Sequence, residues 1–157
     1  MSKLLKLTTS ILVCFLAGGL GSIFTVPAIP TWYAGLNKPF FSPPNWLFGP
    51  AWTTLYILMG IALFLVWQKG TKNKKVREAL KLFGMQLLLN ASWSPVFFGA
   101  KSLFLAFIII VFMWIFILKT ILAFDKIDKK AGYLLYPYLA WVSFATILNF
   151  SVWLLNK

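Results

Sequence analysis

Apolar residues fall along the chain in five long runs, at about 7–27, 45–67, 78–98, 102–124 and 132–155, separated by short polar or proline-rich connectors. Each run reaches the roughly 20 residues that a helix needs to cross the hydrocarbon core of a bilayer. A membrane β-barrel would instead show segments of about ten residues alternating in polarity, and no such segments occur. Short connectors favour antiparallel neighbours. The pattern therefore predicts an all-α integral membrane bundle of five transmembrane helices, with residues 1–157 forming one transmembrane domain. The first run begins after Lys3 and Lys6 like a secretory signal, but its apolar stretch is long and the next run also spans, so a retained helix is expected. Leu12-Val13-Cys14 has the outline of a lipoprotein box, with Val13 too bulky for the residue before a lipidated cysteine.

Composition agrees with this reading. Of 157 residues, 61% are hydrophobic, 18% aromatic and only 11% charged. A soluble fold of this size could not hide so much apolar surface. The net charge of +12 suggests nucleic acid at first sight, but the fifteen basic residues cluster between apolar runs and form no interleaved basic and aromatic surface. Lysines beside apolar runs signal membrane orientation and also attract anionic headgroups. Twelve cations fall on one side of a five-span chain, from Lys3 and Lys6 through Lys69–Lys81 to Lys119–Lys130, whereas Lys38, Lys101 and Lys157 fall on the other. That split predicts the N-terminus inside and the C-terminus outside. Short loops, lysine richness and the lack of an organelle-targeting extension fit a prokaryotic cell membrane.

The chain has no histidine, three acids (Glu78, Asp125 and Asp128) and one cysteine, Cys14, which lies in an apolar run. Histidine triads, proximal-histidine haem ligation and paired-carboxylate hydrolysis are excluded. No metal site and no resident cofactor are expected.

The connector at 27–50 holds six of the eight prolines, together with Trp32, Tyr33, Phe40, Phe41 and Trp46. Proline removes a backbone donor, so this stretch is expected to be neither helix interior nor sheet. It reads either as a stiff lid across the bundle mouth or as an interfacial aromatic belt. Trp52 and Tyr56 lie one turn apart on the second span. Gln86, Asn90, Trp93, Ser94 and Phe97 share a face of the third, which should point inward because amides are costly in lipid; helix–helix hydrogen bonding explains that face equally well. Trp141, Ala145 and Asn149 recur at intervals of four on the fifth span and form a notch that either a flat ligand or a neighbouring helix could enter. Pro95 is expected to kink the third span. The fourth span, almost without polar residues, reads as a lipid-facing scaffold. Ala17, Gly18, Gly21 and Ser22 form a small-residue patch, either an internal contact or a dimer seam.

Three stretches carry a resemblance. Trp32-Tyr33-Ala34-Gly35-Leu36-Asn37-Lys38-Pro39, continuing through Pro43-Pro44 to Phe48-Gly49-Pro50-Ala51-Trp52, is similar to the signature of the TspO/MBR family, the tryptophan-rich sensory proteins related to the mitochondrial translocator protein. The run from Asn90 to Lys101 and the run from Pro137 to Asn149 resemble the family's third and fifth spans.

The resemblance implies a five-helix bundle, often a homodimer, with a pocket beneath the first loop for porphyrins such as protoporphyrin IX and for isoquinoline-carboxamide drugs. Carried over by position, the binding residues are Trp32, Trp52, Asn90, Trp93, Trp141 and Ala145. Trp52 and Trp141 match tryptophans implicated in light-driven porphyrin degradation, which would be their catalytic role. Phe150 and Leu154 stand where the mammalian cholesterol motif has Tyr and Arg, which counts against cholesterol. Leu105 stands where mammalian members carry Trp, a change expected to reshape the pocket.

The residues add to this picture. Lys38 near the mouth could meet a propionate, and Asn90 could bond a polar edge of the macrocycle. With no His, and no Cys or Met in the predicted pocket, metal-free porphyrin is expected to bind better than haem. The leading reading is a porphyrin-binding membrane sensor, carrier or scavenger. Light- and oxygen-dependent porphyrin degradation and a small lipid or porphyrin transporter are the alternatives.

Overall fold

A computed structural model describes every residue from Met1 to Lys157, and its regular structure is entirely helical. The helices are α1 (Lys3–Ala28), α2 (Phe48–Trp67), α3 (Lys74–Ser94), α4 (Leu103–Asp125), α5 (Lys129–Leu134) and α6 (Tyr136–Leu155). Short 3₁₀ turns occupy Tyr33–Gly35 and Asn45–Leu47, and a π-helical turn occupies Pro95–Gly99. Four segments are long and apolar enough to cross a membrane: Lys3–Ala28, Asn45–Trp67, Leu103–Asp125 and Lys129–Leu155. The chain is thus a multi-pass helical membrane bundle. α3 differs because Lys74, Lys75, Arg77, Glu78 and Lys81 crowd its first turns.

Local chemistry sets the boundaries. Ser2, Asn73, Ser102 and Asp128 cap α1, α3, α4 and α5, each side chain accepting from an N–H of the first turn. Pro137 follows the break between α5 and α6, where its missing donor is tolerated at the start of a helix. α1 runs through Pro27, contrary to the expectation that the irregular connector begins there. The proline lies in the last turn, where its missing N–H costs one bond to the Ile23 carbonyl without interrupting a helix that is about to end, and the Thr31 hydroxyl donates to the Pro27 carbonyl at 2.8 Å. Pro95 does more than kink α3. Without its N–H the turn widens, so that Ala100 N–H donates to Pro95 O at 2.8 Å and Ser102 N–H to Val96 O at 3.1 Å. The wide turn ends at Lys101, which sits at φ 55°, a left-handed conformation that ordinary side chains resist.

α4 packs along α3 and α6 and turns Ala106, Ile110, Met113, Ile117, Ile121 and Phe124 into the core, while Phe104, Leu105, Phe112 and Leu122 face outward. The expected lipid-facing scaffold is therefore a core helix with one outward face. A uniformly apolar helix carries no periodic signal to say which face is which. At the basic end the packing is dry: Phe83 and Phe124 stack in parallel at 5.7 Å, with Val66, Val76, Ala79 and Ala131 completely buried nearby. α1 and α2 touch backbone to backbone at Gly60, where an added Cβ would lie 2.6 Å from Ile11 Cα.

Candidate ligand cavity

Toward the loop end the bundle is hollow. A cavity of about 410 Å³ lies between α1, α2, α3, α4 and α6. Its size falls within the roughly 300–1,000 Å³ range of small-molecule sites, and none of its lining residues is charged.

Three tryptophans form its aromatic walls. Trp52, on the second turn of α2, stacks on Tyr56 with centroids 5.6 Å apart and meets Tyr138 edge-on at 6.3 Å. Trp93 stacks on Phe97 at 4.8 Å, and its indole N–H donates to Asn149 Oδ1 at 3.0 Å. Asn149 in turn donates through Nδ2 to the Leu103 carbonyl at 3.0 Å, which fixes α6 to the start of α4. Trp141 packs between Phe48 and Phe144, and its indole N–H is buried without a partner. Ala145, one turn below Trp141, supplies the gap in the α6 face.

Small residues of α1 make the opposite wall. A Cβ on Gly18 would collide with the Tyr56 ring, and one on Gly21 would lie 3.2 Å from the Ser94 side chain. The small-residue patch thus includes internal contacts, with Ala17 and Gly21 buried inside the protomer. The cavity floor is a chain of hydrogen bonds. Tyr56 donates to Asn90 Oδ1 at 2.7 Å, Asn90 Nδ2 donates to the Tyr138 oxygen at 2.8 Å, and Tyr138 donates to Gln86 Oε1 at 2.7 Å. Four polar side chains from α2, α3 and α6 are joined in this way, as buried amides and phenols require, and only the Gln86 Nε2 at the end of the chain is left buried without a partner.

The loop between α1 and α2 closes the end of the bundle. Trp32 and Tyr33 pack on Phe97 and Phe98, and Phe41 packs on Phe144. The Asn37 N–H donates to Asn156 Oδ1 at 2.9 Å, and Asn156 Nδ2 donates back to the Asn37 carbonyl at 2.8 Å. The loop is therefore a lid clasped to the end of α6, although fully exposed Phe40 and largely exposed Trp46 also project from it as interfacial aromatics. Burial raises the Tyr33 phenol above its ordinary pKa, with nearby Ser42 partly offsetting the shift, so the hydroxyl stays protonated at neutral pH.

Of the residues expected at the site, the cavity brings together Trp52, Asn90, Trp93, Trp141 and Ala145. Trp32 and Lys38 do not line it. Trp32 braces the lid from behind Phe97 and Phe98, while Lys38 folds back over the Tyr33 ring at 4.7 Å and donates to the Leu36 carbonyl at 3.1 Å. Asn90 lines the cavity while its amide accepts from Tyr56 and donates to Tyr138, which fixes its orientation and leaves one N–H and one lone pair uncommitted. Leu105 is half-exposed on the outer face of α4 and so cannot reshape the pocket. Met113 lines the cavity, contrary to the expectation that no methionine would, with its sulfur 3.8 Å from the Tyr138 hydroxyl. Sequence reasoning also passed over Ile110, Phe98 and Phe48 as lining residues. The first lies on a helix with no legible face, and Phe98 turns inward only because the π-turn re-aims it.

Known proteins place this arrangement. The profile of the TspO/MBR family matches residues 10–154. The chain is 46% identical over 154 residues to the tryptophan-rich protein TspO of Archaeoglobus fulgidus, covering 98% of this chain and 99% of that one. It is equally similar to the protein of the same name from Chlorobaculum tepidum, at 46% over 154 residues, covering 98% of each. The human translocator protein is 43% identical over 123 residues, covering 78% of this chain and 73% of that one. With the match extending over nearly all of the helical bundle, this chain belongs to the TspO/MBR family.

Proposed function

We propose that the protein binds porphyrins, with protoporphyrin IX as ligand, in the cavity between its helices and acts as a tetrapyrrole or stress sensor, carrier or scavenger. The observation that carries this reading is the placement of Trp52, Trp93 and Trp141 on the walls of one uncharged cavity. A metal-free porphyrin is flat, aromatic and mostly apolar. Indole faces offer it rigid stacking surfaces, so little side-chain entropy is lost on binding. The Trp93 N–H is taken by Asn149 and the Trp141 N–H is buried out of reach, so these two indoles would hold a ligand by their faces rather than by hydrogen bonds. Phe150 and Leu154 face outward and carry no polar group for a sterol hydroxyl, which counts against cholesterol as a ligand.

In this reading α3 is the fifth crossing, the N-terminus lies inside a prokaryotic cell membrane and the C-terminus outside. The lid faces out. The homodimer expected of the family uses a seam other than Ala17 and Gly21, which the protomer buries. A titration in the dark with protoporphyrin IX, read by tryptophan fluorescence, should give saturable quenching that weakens in Trp141→Ala. Absence of saturation in the wild type would overturn porphyrin binding. Haem should bind less tightly, because the Met113 thioether faces the Tyr138 hydroxyl; a Soret shift typical of axial ligation, lost in Met113→Leu, would refute that preference.

A second reading, light- and oxygen-dependent porphyrin degradation, is favoured by the position of both Trp52 and Trp141 on the same cavity. The double Phe variant should then retain binding and lose light-dependent product. Unchanged product formation would exclude tryptophan participation.

A further inference from the structure

The cavity is closed toward the loop and open on one side. Its lining residues on α3, α4 and α6 are buried or half-buried without exception. The exposed lining residues are Gly19, Ser22 and Val26 on α1 and Asn45, Gly49 and Thr53 at the start of α2. They mark a slot between two neighbouring helices. The cause is a splay of the helix pair. Ile11 and Gly60 hold the backbones in contact toward the basic end, the Tyr56 ring fills the space beside Gly18, and beyond that Gly19 and Gly49 have open space beside them.

The slot suits lipid. Gly19 lies nine residues before the end of α1, and Thr53 five residues into α2. At about 1.5 Å per residue the opening lies roughly 8–14 Å below the lid, within one leaflet of a hydrocarbon core about 30 Å thick. Its hydroxyls ask for no water: Ser22 donates to the Gly19 carbonyl at 2.8 Å and Thr53 to the Gly49 carbonyl at 2.8 Å. No charge borders it. The lid, by contrast, is held by aromatic contacts and by the Asn37–Asn156 clasp.

We infer that the slot between α1 and α2 is the ligand portal, and that the cavity fills sideways from the bilayer with molecules already dissolved among the acyl chains. This rests on the porphyrin reading for its ligand, though not for its geometry. The class admitted is flat, apolar and membrane-partitioning. A strictly water-soluble tetrapyrrole has no comparable route.

The glycines supply the test. A Cβ on Gly19 or Gly49 meets nothing within 4 Å, so Gly19→Phe and Gly49→Leu add bulk at the slot without a clash at the first added carbon. Gly84 on α3 has equally open space and lines no part of the cavity, so Gly84→Phe is the control. With the full chain in nanodiscs, stopped-flow uptake of protoporphyrin IX from the bilayer should slow at least tenfold in Gly19→Phe/Gly49→Leu, and release should slow with it. Gly84→Phe and the unclasped Asn37→Ala/Asn156→Ala should keep the wild-type rate. A second readout needs no porphyrin. Lipids brominated on their acyl chains should quench the Trp52 emission, taken as the difference between wild type and Trp52→Phe, and the plugged variant should protect it. An unquenched Trp52, or uptake that ignores the plugs and accelerates on unclasping, would overturn the portal. Lack of saturable porphyrin binding in the wild type would overturn the ligand instead, and the brominated lipids would still decide the portal.

Discussion

The two ends of the bundle are built from similar residues and behave as opposites. Toward the basic end, aromatic and aliphatic side chains close-pack: Phe83 lies parallel to Phe124 at 5.7 Å, and Val66, Val76 and Ala79 have no exposure. Toward the lid, indoles and phenyls stand around a space of about 410 Å³. The difference arises from the partners. Small residues at the basic end allow close approach, as at Gly60 against Ile11, whereas at the lid end rigid rings brace one another edge to face and cannot collapse inward. Close packing and open space are therefore assigned to different halves of one helical scaffold.

This division can be broken at several strengths. The largest effect is expected from Phe124→Ala, which opens a void in the dry half and should cost about 3–5 kcal/mol, read as a lowered unfolding midpoint in detergent. Trp141→Ala, on the wall of an existing space, should cost less than half of that while weakening ligand binding most; equal losses in the two variants would erase the distinction. Next comes the boundary between the halves. Tyr138→Phe leaves the Asn90 amide and the Gln86 oxygen without their shared partner and should cost about 1–3 kcal/mol. Tyr56→Phe, which removes one bond from the end of the same chain, should cost less. At the lid, Asn156→Ala should cost about 1 kcal/mol and accelerate hydrogen exchange at the Asn37 amide, leaving amides of the basic half unaffected. The smallest effect, and the only gain, is expected for Lys101→Gly, which relieves a left-handed residue and should raise stability by up to about 1 kcal/mol in the same melt.

The two halves were also unequally legible. Helical spacing set Trp52, Asn90, Trp93, Trp141 and Ala145 on candidate faces that a neighbouring helix could equally fill, and the resemblance to the TspO/MBR family was needed to gather them into one pocket. The same pattern was silent on the partners of Asn90, since Tyr56 and Tyr138 lie on other helices and leave no trace in local spacing. The inward face of α4 could not be read at all, since Ile110 and Met113 look no different from the outward Phe112 and Ile115. Lys38 was placed at the mouth by sequence proximity, but a short-range bond to Leu36 holds it against Tyr33. Periodicity reports which residues share a face; which other helix meets that face depends on tertiary packing, which no single run encodes.

The clasp between Asn37 and Asn156 has a consequence for how the protein is made. Its two members are 119 residues apart, so the first loop emerges long before its partner exists. At roughly 5–20 residues per second, the unfinished chain waits about 6–24 s with its aromatic loop unclasped. Residues 137–155, which supply one wall of the cavity, arrive in the same late interval. Phe97 and Phe98 reach Trp32 and Tyr33 earlier, but until the last helix is made the rest of the loop has only the bilayer surface, where exposed Phe40 and Trp46 can rest. Completion of the last helix both builds the site and seals its roof, so a chain truncated before Asn156 would span the membrane with its interior ajar.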